Sequence, residues 1–132
     1  MFIRRARRKG VATEISWYAG GLVIAAGVYV AFGLVLGGPP LGFELIQLAV
    51  FLGVALAGLR YSPLILAAGW LFHSIWDAMH VLPALSQHAP HWYVFACLAF
   101  DVPLAVYIAV RRRSFPLSRG ILSSATEPVH PE

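Results

Sequence analysis

Charge is what this sequence has least of. Its 132 residues include 10 Lys/Arg and 6 Asp/Glu, or 12% charged residues, where a water-soluble domain carries about 25%. So few charged side chains argue against a soluble globule. The 59% hydrophobic content excludes intrinsic disorder, which requires low hydrophobicity. Cysteine is nearly absent as well. A lone Cys97 rules out a disulfide framework and a cysteine-based zinc ribbon. What remains is a membrane protein. In a soluble chain a pI of 9.7 would suggest nucleic acid. Here the bases are first read as topology signals, and no nucleic-acid partner is expected.

Four apolar stretches are each close to the roughly 20 residues that a helix needs to cross a 30 Å hydrocarbon core. They run over about 17–36, 41–59, 63–82 and 92–110. Backbone polar groups in lipid must be satisfied internally, and these stretches lack strand alternation, so helices are predicted. The fold class is therefore all-α and polytopic, with four transmembrane helices, a basic segment at 1–16 and a tail at 111–132. Gly37, Gly38, Pro39 and Pro40 break the chain after the first stretch. Ser62 followed by Pro63 reads as an N-cap with proline at the first helical position. Pro83 and Pro90 bracket a loop. Pro103 lies inside the fourth stretch, where it removes the donor for the Ala99 carbonyl. The first stretch is too long for a signal-peptide core and no small-x-small cleavage site follows, so it is read as a retained anchor. Trp17, Tyr18, Tyr61, Trp92 and Tyr93 sit where interfacial aromatics belong. Small residues such as Gly20, Gly21, Gly53, Gly58 and Gly69 suit close helix packing.

The bases are sorted. Arg4, Arg5, Arg7, Arg8 and Lys9 precede the first stretch, Arg60 separates the second from the third, and Arg111, Arg112, Arg113 and Arg119 follow the fourth. With four crossings all of these fall on one side. The positive-inside rule then places both termini in the cytoplasm.

The acids behave differently. Glu44, Asp77 and Asp101 lie within the apolar stretches, where a charge at a helix centre costs about 2.5–3.5 kcal/mol on insertion scales. No Lys or Arg lies within the stretches to pair with them. The basic groups that do are His73 and His80, on the same helix as Asp77. Spaced at i, i+4 and i+7, these three residues fall within about 60° of one another on one face. Glu44 shares a face with Gln47, and Cys97 shares one with Asp101. Polar stripes in membrane helices face the bundle interior, and by depth all of these converge in the outer half, with His88 and His91 in the loop above.

Four uses of the cluster remain open. Imidazole and carboxylates together suit a divalent metal such as Zn or Fe. The candidate ligands are His73, Asp77, His80, Glu44 and Asp101. His73 and His80 stand about 10.5 Å apart along the axis. The sets that fit one ion are therefore His73 with Asp77, or Asp77 with His80, completed by Glu44 or Asp101. Metal-free acid–base chemistry on a lipid-soluble substrate would use His73, Asp77, His80 and Asp101 as catalytic groups. Cys97 is a poor nucleophile in an apolar setting. Protonatable groups running from mid-membrane outward also suit a proton- or cation-translocating homo-oligomer. Finally, His–carboxylate pairs could fasten helices in a structural subunit of a larger complex.

The run Gly69–Trp70–x–x–His73–x–x–Trp76–Asp77–x–x–His80 can be taken together with Trp92, Tyr93, Cys97, Phe100 and Asp101. So read, the chain resembles a family of small uncharacterised bacterial integral membrane proteins, a domain of unknown function. The resemblance covers about 41–107. It implies that the cluster is the point of interest and implies no reaction. The cluster is also similar, by analogy alone, to intramembrane zinc hydrolases of the ceramidase type, which have more spans and a different ligand pattern.

Overall fold

A computed structural model describes residues 2–37, 41–82 and 89–115. Four α-helices follow one another: α1 (Phe2–Leu36), α2 (Leu41–Arg60), α3 (Pro63–Met79) and α4 (His91–Val110), the last leading into a short 3-10 turn at Arg112–Ser114. Among the described residues there is no strand, so the all-α class holds. Three stretches, Gly10–Leu36, Leu41–Arg60 and His91–Val110, are long and apolar enough to cross a membrane. α3 has 17 residues, about 25 Å of helix. The residues 38–40, the loop at 83–88 with Pro83 and His88, and the tail from 116 with Arg119 lie outside the described residues. So do the side chains of 1–9, including the N-terminal bases.

Local chemistry sets the boundaries. Gly37 ends α1 with φ +74°, the left-handed conformation that a glycine after a helix adopts without steric cost. Ser62 is extended, and its hydroxyl oxygen accepts from the Leu64 amide at 3.2 Å with Pro63 in the first turn, which is the cap expected from sequence. α3 stops at Met79 rather than at the expected residue 82. The amides of His80, Val81 and Leu82 turn back to the carbonyls of Asp77, Ala78 and Met79 at 3.0, 3.2 and 3.1 Å, a 3-10 tightening. The proline that follows Leu82 disfavours a helical backbone there. α4 runs unbroken through Pro103.

Side-chain pairings fix the helix directions. Along α2 and α3, Gly58 meets Leu66 and Val54 meets Gly69. Phe51 then meets Phe72 at 5.6 Å, and Phe43 stacks on Trp76 at 5.4 Å. One number falls as the other rises, so the pair is antiparallel over the whole of α3. Gly27 and Gly33 of α1 face Leu48 and Glu44 of α2, also antiparallel. Between α1 and α4, the Tyr93 hydroxyl donates to the Ala25 carbonyl at 3.2 Å and Arg111 meets Glu14, antiparallel again. α1 and α3 run together, through Leu22 against Gly69 and Tyr29 against Asp77. The result is an up-down-up-down bundle. A Cβ on Gly69 would lie 2.6 Å from Val54 Cγ1 and 2.9 Å from Leu22 Cδ2, so the absence of a side chain there lets three helices meet.

The bundle is inverted in polarity relative to a water-soluble one. Leu22, Phe51, Leu66 and Ile108 form its apolar core, but Glu44, Gln47, His73, Asp77, His80 and Asp101 are buried with them. Ile24, Val35, Leu56, Ile75, Phe95 and Val106 are exposed. Apolar residues outside and ionisable ones inside is the arrangement that lipid selects.

At the end of the bundle that carries Arg60 and Arg111–Arg113, Glu14 forms a clasp. Its carboxylate accepts from the Tyr18 and Tyr107 hydroxyls at 2.8 and 2.7 Å and pairs with Arg111 at 3.1 Å. The Arg111 guanidinium also lies 5.7 Å over the Phe115 ring.

Candidate metal centre

Three helices deliver one cluster. His73 and Asp77, one turn apart on α3, face Asp101 of α4, and Tyr29 of α1 closes the third side. His73, Asp77 and Tyr29 are 0% exposed and Asp101 is 1% exposed. His73 Nδ1 lies 2.8 Å from Asp101 Oδ2 and 3.1 Å from Asp77 Oδ2. Carboxylate oxygens accept, so a hydrogen on Nδ1 is donated to Asp101, while Asp77 Oδ2 stands beside it without a hydrogen-bond partner among the described residues. The Tyr29 hydroxyl donates to the other oxygen of Asp77. The second ring nitrogen of His73, Nε2, is buried without a hydrogen-bond partner among the described residues, where the ring meets Phe51 edge-on at 5.1 Å.

One imidazole nitrogen and two carboxylate oxygens here lie within 4.8 Å of one another. An ion held at about 2.1 Å from each tetrahedral ligand needs ligand atoms roughly 3.4 Å apart. The 2.8 and 3.1 Å separations fall short of that by roughly 0.6 and 0.3 Å, and the unpartnered Asp77 Oδ2 is one of the three ligand atoms. Tyr29 occupies the place of an outer partner that orients a ligating carboxylate.

The cluster takes one of the sets allowed by sequence spacing, His73 with Asp77 completed by Asp101. The structure places His80 and Glu44 outside that group. Nδ1 of His80 is 2.9 Å from the Trp76 carbonyl, and its ring lies 4.5 Å from Tyr29 and 5.4 Å from Trp76. Glu44 is buried in the first turn of α2, where the helix dipole favours a carboxylate, and packs towards Gly33 of α1. Two tyrosines carry more than sequence reasoning assigned them. Tyr29 was not singled out, although a hydroxyl in the middle of an apolar stretch was its signal. Tyr93, read as interfacial, spends its hydroxyl on the Ala25 carbonyl and packs edge-on to Tyr29 at 5.8 Å.

A cleft of about 370 Å³ lies between α1 and α4. Ile24, Ala25, Val28, Cys97 and Phe100 line it, Trp70 stands behind, and Asp101 forms part of its wall. One member of the cluster thus borders an apolar groove on the outer face of the bundle.

Residues 10–114 match the DUF6010 family, a family of unknown function. The match takes in α1 from residue 10, the other three helices and every residue of the cluster. No curated protein and no solved structure matches the chain.

Proposed function

The chain belongs to the DUF6010 family of unknown function, and from that premise we propose a metal-binding, multi-pass membrane protein that works on a lipid-soluble substrate. In this reading all four helices span the bilayer, both termini lie in the cytoplasm, and a divalent ion such as zinc or iron is held by His73, Asp77 and Asp101. The observation that carries it is the convergence of one imidazole and two carboxylates, from α3 and α4, within 4.8 Å in a buried setting. Two buried carboxylates with one histidine between them are costly unless a cation compensates them. Three protein ligands leave a coordination position open, as catalytic sites require, and such an ion polarises a bound oxygen or activates water. The α1–α4 cleft supports the substrate class, since a molecule dissolved in the bilayer reaches Asp101 through it without crossing water.

Elemental analysis of the protein purified in detergent tests the proposal. About one equivalent of a divalent metal is expected in the wild type and none in His73→Ala or Asp77→Ala. Equal, substoichiometric metal in all three proteins would overturn it.

A further inference from the structure

A second hollow lies between α1 and α4, on the Arg111 side of the cleft beside Asp101. Its volume is about 440 Å³. Tyr18 of α1 walls one side, and Ala99, Phe100, Pro103, Leu104 and Tyr107 of α4 wall the other. Phe100 also lines the cleft beside Asp101, so the two hollows adjoin at one ring and form a seam on the outer face of the bundle. Polar bridges between α1 and α4 stand towards its ends, at Tyr93–Ala25 and at Glu14–Arg111. Between them α4 presents Ala99 and Pro103, both exposed and too compact to fill the space.

Basic groups close one end of the seam. Arg111 lies 5.1 Å over the Tyr107 ring, and Phe115 packs edge-on to Tyr18 at 6.4 Å. The 3-10 turn Arg112–Ser114 falls between these two contacts, so its ends are fastened to the two walls of the hollow. Arg112 and Arg113 are exposed. Glu14 is the described acid at this end, and it pairs with Arg111. Glu44, Asp77 and Asp101 are buried. Arg112 donates one N–H to the Ala109 carbonyl at 3.3 Å, and neither Arg112 nor Arg113 has an acidic partner among the described residues. Two guanidinium groups without a counter-charge, at the end of an apolar groove, complement an anion that carries a hydrocarbon chain. Length agrees as well. From Asp101 to Arg111 the helix rises about 15 Å, half of a hydrocarbon core of about 30 Å and so the depth of one leaflet.

We propose that the seam binds one anionic phospholipid from the leaflet at the Arg111 end. Its phosphate pairs with Arg112 and Arg113, and one acyl chain lies over Pro103 and Ala99 towards Phe100. In the topology proposed above this is the cytoplasmic leaflet. The site stands whether or not the His73 cluster holds a metal, since no member of that cluster lines the hollow.

Native mass spectrometry of the detergent-purified protein tests the site, with dipalmitoyl phosphatidylglycerol and dipalmitoyl phosphatidylcholine as probes. One molecule of the anionic lipid should be retained per protein, about tenfold more tightly than the zwitterionic lipid with the same acyl chains. Arg112→Gln combined with Arg113→Gln should bring the two lipids to equal affinity. Ala99→Phe, which fills the hollow from an exposed position and keeps every charge, should abolish one-to-one binding of both. Glycerol phosphate, a head group without acyl chains, should not compete. Equal affinity for the two lipids in the wild type, or an undiminished preference in the arginine variant, would overturn the assignment. So would one-to-one binding retained in Ala99→Phe, which would mean attraction by surface charge alone, or competition by glycerol phosphate, which would mean a soluble phosphate ligand.

Discussion

Tyr29 carries an interaction that spacing along one helix does not reveal. Its hydroxyl donates to Asp77, which frees the remaining oxygen of that carboxylate to face His73 at 3.1 Å. Outer partners of this kind typically affect metal affinity by 10–100-fold when removed. Tyr29→Phe keeps the ring and its contacts with His80 and Tyr93, so packing should persist while orientation of Asp77 is lost. A drop of about tenfold or more in zinc affinity is expected in a chelator-competition titration, with little change in melting temperature. Unchanged affinity would show that Asp77 is oriented by α3 alone. The i, i+4, i+7 stripe was legible because helix geometry dictates which residues share a face. The Tyr29 contact was not, because it depends on how α1 docks against α3, and no local pattern encodes that docking.

At the scale of the helix, the glycines are not equivalent, and the sequence does not distinguish them. A Cβ on Gly58 would lie 2.7 Å from Leu66 Cβ and 3.0 Å from the Leu66 backbone nitrogen. Backbone cannot retreat as a side-chain tip can. A Cβ on Gly20 would meet nothing within 4 Å. Gly58→Ala is therefore expected to cost about 1–3 kcal/mol through overpacking. Gly20→Ala should be neutral or slightly stabilising, since alanine is the better helix former by roughly 1 kcal/mol. Denaturant titration of both variants in mixed micelles, followed by helical circular dichroism, separates the two. Comparable effects would mean that helix propensity, and not the α2–α3 contact, governs both sites. Both glycines invite the same reading in sequence, as small residues at a helix interface. The difference is which face each turns to a neighbour, and that is a property of the assembled bundle.

At the scale of the whole molecule, all four apolar stretches read as spans in the sequence, but three of the helices are long and apolar enough to cross a membrane, and the third is where length and hydropathy weaken. α3 is the helix that holds His73, Asp77 and the turn at His80. It has 17 residues, about 25 Å, against a hydrocarbon core of about 30 Å. The polar residues that make the cluster are the same residues that make α3 a poor spanning segment, since each ionisable group adds to the insertion cost. Its crossing is expected to depend on neighbours, and the pairing of α3 along α2 from Gly58–Leu66 to Phe43–Trp76 supplies them. The described bases Arg60 and Arg111–Arg113 gather at one end of the bundle, a consequence of the up-down-up-down order, and the positive-inside bias then assigns that end to the cytoplasm. Reporter fusions make this decidable. If α3 crosses, a fluorescent protein joined after residue 113 should fold in the cytoplasm, and a phosphatase inserted within 83–88 should be active outside it. If α3 fails to cross, the loop between α3 and α4 stays inside and α4 carries the C-terminus out, reversing both signals. Gly58→Val, which wedges α2 from α3 at Leu66, should shift the population towards that reversed pattern, because it removes the neighbour on which a short, polar helix relies.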